Sequence, residues 1–185
     1  KQLKNLNISS FKTKNVNDMS YMFFNCENIS DMDLYTMNIE NVTDMNNMFS
    51  GCENLEKLNL SSFKTKSVTN MSNIFYNCYK LRNLDLSSFI TNNVTNMNNI
   101  FYNCKNMHKI NVSSFNTAKV TNISGMFYGC EYNLNLNLSS FNTINVTDMS
   151  NLFYNCHNLK NVILSSFDTK NVIDMSNMFY NCSNL

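Results

Sequence analysis

Cysteines stand at Cys26, Cys52, Cys78, Cys104, Cys130, Cys156 and Cys182, and neighbouring pairs are all 26 positions apart (52 − 26 through 182 − 156). A period kept without insertion or deletion means that one supersecondary unit is copied end to end. Such a unit cannot bury its apolar face alone, so the copies must stack against one another into a solenoid. The 185 residues are thus expected to form one array, 1–185, of about seven repeats. Prolines number zero and glycines three, so no flexible linker divides it. The chain opens and stops inside repeats with no distinct caps, which suggests a fragment of a longer protein.

Aligned by the period, the blocks read N-L-x-x-L-x-L-S-S-F-x-T-x-x-V-T-x-M-S-x-M-F-Y-N-C-x. Two periodicities alternate within a block. Leu84-x-Leu86, with Leu6/Ile8, Met32/Leu34, Leu58/Leu60, Ile110/Val112, Leu136/Leu138 and Val162/Leu164, alternates with period two and predicts a short strand. Stacked in register at roughly 4.8 Å, these strands would form one parallel sheet. Repeat six departs at Asn133, where Leu134 would substitute through a one-residue bulge.

The second segment fits a helix. Val94, Met97, Ile100, Phe101 and Cys104 fall on one stripe of a 3.6-residue period. Thr43, Thr69, Thr95, Thr121 and Thr147 would cap its start. The column Asn25, Gly51, Asn77, Asn103, Gly129, Asn155, Asn181 would stop it, because Asn and Gly enter left-handed backbone at least cost. Between strand and helix, Phe11, Phe63, Phe89, Phe115, Phe141 and Phe167 are expected to stack as an aromatic spine. The expected fold is an α/β solenoid, a right-handed superhelix with a parallel sheet on one face and short helices on the other.

The stretch F-Y-N-C-x-N-L-x-x-L-x-L at Phe153 to Leu164 resembles the BspA-type leucine-rich repeat. The motif N-V-T-x-M-S-x-M-F-Y-N-C is more similar still to the 26-residue surface-protein repeats of mycoplasma lipoproteins. The resemblance implies a leucine-rich-repeat-like solenoid at the cell surface or outside the cell, used in adhesion and without enzymatic activity. One departure stands out: Ser-Ser-Phe replaces the asparagine that follows the strand in ordinary leucine-rich repeats, so that family's asparagine ladder does not carry over.

The chemistry of the residues excludes most activities. A uniform spacing of 26 supplies neither C-x₂-C nor close Cys/His pairs, so no metal site is expected. The thiols end the apolar stripe and are expected to be buried and free. His108 and His157 occupy different columns, and the repeated serines lack a histidine in register, so no catalytic triad is expected. Three glycines cannot build a phosphate loop. A net charge of +1, with 15% charged residues against a usual ~25%, offers no stripe for nucleic acid. No apolar run is long enough to span a membrane, and no cofactor is expected. The sequons Asn41-Val42-Thr43, Asn93-Val94-Thr95 and Asn145-Val146-Thr147 are by-products of an Asn-rich repeat. The methionine column Met19, Met45, Met71, Met97, Met149, Met175 is adaptable core filling.

Two ladders are candidate binding faces. On the strands, Asp33, Lys57, Asn59, Asn83, Asp85, Lys109 and Asn111 point outward; they either recognise a protein or glycan or merely solvate the sheet. On the opposite side run Tyr76, Tyr102, Tyr128, Tyr154 and Tyr180, with Phe24 in the same column. These rings either cover the stack or meet a partner. The expected function is a non-enzymatic interaction module contacting a protein or glycan on a host or neighbouring cell; the alternative is a spacer or self-assembling stalk that presents another domain.

Overall fold

The structure is a computed structural model that describes residues 6–132 and 135–185, with the backbone alone at Asn135. The departure at Asn133 and Leu134 lies outside the described residues. Six three-residue strands follow one another at the repeat period: β1 Asp31–Asp33, β2 Lys57–Asn59, β3 Asn83–Asp85, β4 Lys109–Asn111, β5 Asn135–Asn137 and β6 Asn161–Ile163. Pairing is parallel, with Asp31 opposite Lys57, Asn83 opposite Lys109 and Asn135 opposite Asn161, so partners differ by one period. The single long sheet expected from the sequence is instead three two-stranded sheets, β1–β2, β3–β4 and β5–β6.

The continuous ladder lies elsewhere. Asp18, Asp44, Asn70, Asn96, Asn122, Asp148 and Asp174 bridge in parallel from the first coil to the last. From this column to the cysteine, alternate amides leave their own coil. In the central coil, Met97 N donates to Asn122 O, Asn99 N to Ser124 O, Phe101 N to Met126 O and Asn103 N to Tyr128 O, at 2.7–3.0 Å. The intervening amides close local turns, as Tyr102 N does on Asn99 O and Cys104 N on Phe101 O.

This ladder overturns the predicted helices: the described residues contain none. An α-helix needs every amide on the carbonyl four residues back, and here half of them pair with the next coil. The backbone also turns left-handed twice per coil. One position is the expected column before cysteine, such as Asn103 at φ 55° and Gly129 at φ 63°. The other lies four residues earlier, at Tyr21, Asn47, Asn73, Asn99, Gly125, Asn151 and Asn177, with φ of 54–57°. Left-handed residues spaced so closely break a right-handed helix. The threonines expected as caps have a different task. Thr69 N and Oγ1 both donate to Thr43 O, and Thr95, Thr121 and Thr147 repeat the arrangement.

Inside, one apolar cluster runs the length of the stack. Its aromatic spine is the column Phe23, Phe49, Phe75, Phe101, Phe127, Phe153, Phe179, with ring centroids 5.4–5.8 Å apart throughout. Of the spine expected in the other column, Phe115, Phe141 and Phe167 stack at 6.4 Å and Phe63 and Phe89 are buried, whereas Phe11 on the first coil is 46% exposed. Met19, Met45, Met71, Met97 and Met149 are buried in this core, whereas Met175 on the last coil, expected there too, is 46% exposed. So is a hydroxyl column, Thr65, Thr91, Thr117 and Thr143, each hydroxyl exchanging two bonds with one residue of the next coil.

Candidate functional site

The cysteines are free, and the five from Cys52 to Cys156 are buried. Each thiol from Cys52 onward donates to the carbonyl of a phenylalanine in the preceding coil at 3.0–3.2 Å, as Cys104 Sγ does to Phe75 O. Burial pushes the Cys52 and Cys130 thiols up to about 12 and raises Cys78, Cys104 and Cys156 as well. A buried, protonated thiol is a poor nucleophile and a poor metal ligand. Among the described residues, no cluster of three His, Cys, Asp or Glu is placed to hold a metal ion. No helix among them is long and apolar enough to cross a membrane.

The strand face carries every candidate of its ladder on the surface: Asp33, Lys57, Asn59, Asn83, Asp85, Lys109 and Asn111 are exposed. The structure divides them into two kinds. Asp33, Asn59, Asp85 and Asn111 end their strands, and each accepts the amide two residues on through Oδ1. They are turn formers by chemistry. Asn59 Nδ2 also donates to Asp33 Oδ1 at 3.0 Å across the coils. The Ser87 amide and hydroxyl hold the Asp85 carboxyl below its ordinary value, and the Lys109 charge adds to this. Lys57, Asn83 and Lys109 open their strands in register and project into solvent.

The tyrosines form an uninterrupted stack of five rings, from Tyr76 to Tyr180, at centroid separations of 4.1–4.6 Å. Tyr76, Tyr102, Tyr128 and Tyr154 are half-buried, while Tyr180 on the last coil is 55% exposed. Burial raises the Tyr102 hydroxyl above its ordinary value, with Tyr128 adding to the effect. Ser50 interrupts the column between Phe24 and Tyr76. The rings thus cover each other and stay half in solvent.

Sequence reasoning passed over the residues just before the strands. There Ser30, Glu56, Arg82, His108 and Lys160 share one exposed column, and Glu27, Glu53, Tyr79, Lys105, Glu131 and His157 share a second, in which Glu27 and Lys105 are exposed and the others half-buried. Coils that are otherwise near-copies differ in charge, size and aromaticity at these two columns. That contrast between constant and varied columns was the signal. His108 stacks on Tyr132 at 3.7 Å, and Lys105 Nζ meets Glu131 Oε1 at 2.9 Å.

Asparagine ladders exist, in columns other than the one tested from sequence. Asn54, Asn106, Asn158 and Asn184 each donate Nδ2 to a carbonyl of the preceding coil. The sequon residues Asn41, Asn93 and Asn145 do the same at 2.8–3.0 Å. One of the two N–H groups of each of these side chains is thus engaged between coils.

No curated protein matches the sequence. Among solved structures, the crystal structure of a leucine-rich repeat protein of T. pallidum is similar at a TM-score of 0.42 and 14% identity, over 92% of this chain and 72% of that one. The family described as "Mycoplasma protein of unknown function, DUF285" matches residues 1–111 and again 79–185, and the chain belongs to this family.

Proposed function

We propose that this chain is a non-enzymatic interaction module of the leucine-rich-repeat class, displayed on a cell surface, that binds a protein or glycan of a host or neighbouring cell. One observation carries the reading: exposed columns that change from coil to coil stand on a scaffold whose core columns stay nearly constant. Ser30, Glu56, Arg82, His108 and Lys160 differ in charge and shape, whereas the buried cysteine and phenylalanine columns repeat without change. A spacer has no use for such variation. A recognition surface does, because specificity comes from particular side chains on a rigid support. The motif's likeness to surface-protein repeats supports the cell-surface placement, and the absence of a nucleophile–base pair in the columns supports a binding role.

The test presents the purified chain to arrays of glycans and of extracellular proteins, with hydrolase substrates assayed in parallel. Selective binding that weakens when exposed residues of the varied column, such as Glu56 and Lys160, or of the strand face beside it, such as Lys57 and Asn83, are replaced is the expected result. Measured hydrolysis with no binder above background overturns the proposal. Concentration-dependent self-association in analytical ultracentrifugation, with every array negative, points to the stalk instead.

A further inference from the structure

Within the two varied columns and the residues beside them, charge is distributed unevenly. Residues 79–83 and 105–109 contain Lys80, Arg82, Lys105 and Lys109 and no acid, so this strip of two coils carries a local +4 within a chain of net charge +1, which Glu131, paired with Lys105, and Asp85, close to Lys109 at the end of β3, offset in part. All four are exposed. The two coils are neighbours: Lys109 lies opposite Asn83, and His108 N donates to Arg82 O at 2.7 Å. At one edge His108 and Tyr132 lie face to face at 3.7 Å, and Tyr132 remains 44% exposed. Acids bound the strip on both sides, with Glu53 and Glu56 on the preceding coil and Glu131 on the following one.

We infer that this strip is a docking site for an anionic polysaccharide, with Arg82, Lys80 and Lys109 meeting its carboxylates or sulfates and the His108–Tyr132 pair meeting a sugar ring. The inference rests on the interaction-module reading and names the partner class. Arg82 matches the two oxygens of a carboxylate or sulfate with parallel hydrogen bonds, and the lysines act as point charges. A pyranose presents weakly positive C–H groups on one face, which suit the negative face of an exposed aromatic ring. The flanking acids decide the shape of the partner. A flat anionic membrane would press against Glu53, Glu56 and Glu131 as well as the cations, whereas a thin chain fits a strip two coils wide. A duplex nucleic acid needs a broader basic face than this.

The experiment measures binding of the whole chain to immobilised heparin and to polygalacturonate, with neutral dextran as reference, at low and physiological salt. The triple variant Lys80→Ala, Arg82→Ala, Lys109→Ala leaves the Lys105–Glu131 pair intact and should weaken binding about tenfold or more. The charge-matched variant Lys12→Ala, Lys14→Ala, Lys170→Ala should bind as the parent does. Tyr132→Ala should weaken binding and Tyr132→Phe restore it; thermal melts confirm that every variant is folded. Preference for heparin or for polygalacturonate identifies sulfate or carboxylate as the recognised group. Equal losses in the two triple variants overturn the inference, as does parental binding by Tyr132→Ala. Retention on phosphatidylserine vesicles without polysaccharide binding overturns it in favour of a membrane. Should the polyanions fail while a protein or neutral glycan binds, the inference falls and the interaction module stands.

Discussion

Replacing Thr117 by valine tests what holds one coil to the next. The two side chains have nearly the same shape, and Thr117 is 1% exposed, so packing barely changes. What is lost is a pair of bonds: Thr117 Oγ1 donates to Asn142 O at 2.9 Å and accepts from Asn142 N at 2.8 Å. Each unsatisfied backbone group costs about 1–3 kcal/mol, and at this partly buried site about 1.5 each is reasonable. Against roughly 3 kcal/mol of loss stands about 1 kcal/mol gained by burying a methyl in place of a hydroxyl. A net destabilisation of about 2 kcal/mol follows. Urea unfolding followed by circular dichroism reads it directly. Thr117→Ser is the control, because it keeps both bonds and loses one buried methyl, about 1 kcal/mol. If Thr117→Ser proves less stable than Thr117→Val, volume governs this column and the hydrogen-bond argument is wrong. The chain supplies its own comparison in Ile39, which fills the same column on the second coil and is buried there.

The buried thiols make stability depend on alkaline pH. Cys52 and Cys130 titrate near 12 in the fold against an ordinary 9.0, so the unfolded chain releases these protons first and stability falls as pH rises from 9.0 towards 12. The loss is about 1.4 kcal/mol per pH unit for each; urea midpoints at pH 8 and pH 10 measure it, and Cys130→Ala should make the profile shallower by one thiol's share while the other buried thiols keep the rest. Gly129→Ala should cost about 1 kcal/mol because φ there is 63°, while Gly129→Asn should cost less, since Asn103 already adopts that backbone at φ 55°; equal melting temperatures would refute the strain. Cys104→Asp buries a carboxylate beside Phe75 O and should cost several kcal/mol, whereas exposed Lys109→Ala should leave the melt almost unchanged.

From the period alone, the sequence settled which residues are neighbours. One offset of 26 places Asp31 beside Lys57, Phe49 beside Phe75 and Tyr102 beside Tyr128, because stacked copies bring equal positions together. It also showed that the thiols lie at the end of the apolar stripe and that the column before them turns left-handed. It could not show that the stripe from Val94 to Cys104 is no helix. A helix of 3.6 residues per turn and a run of four-residue turns point nearly the same side chains inward, so apolar spacing does not separate them. The second left-handed column, Asn47, Asn73, Asn99, Gly125, Asn151 and Asn177, was in plain view as Asn and Gly, yet Asn is so common here that it carried little signal. Tertiary structure decided the matter by competition for amides. Once the next coil offers a carbonyl to Met97, Asn99, Phe101 and Asn103, a segment gains more by bonding sideways along the stack than by closing on itself.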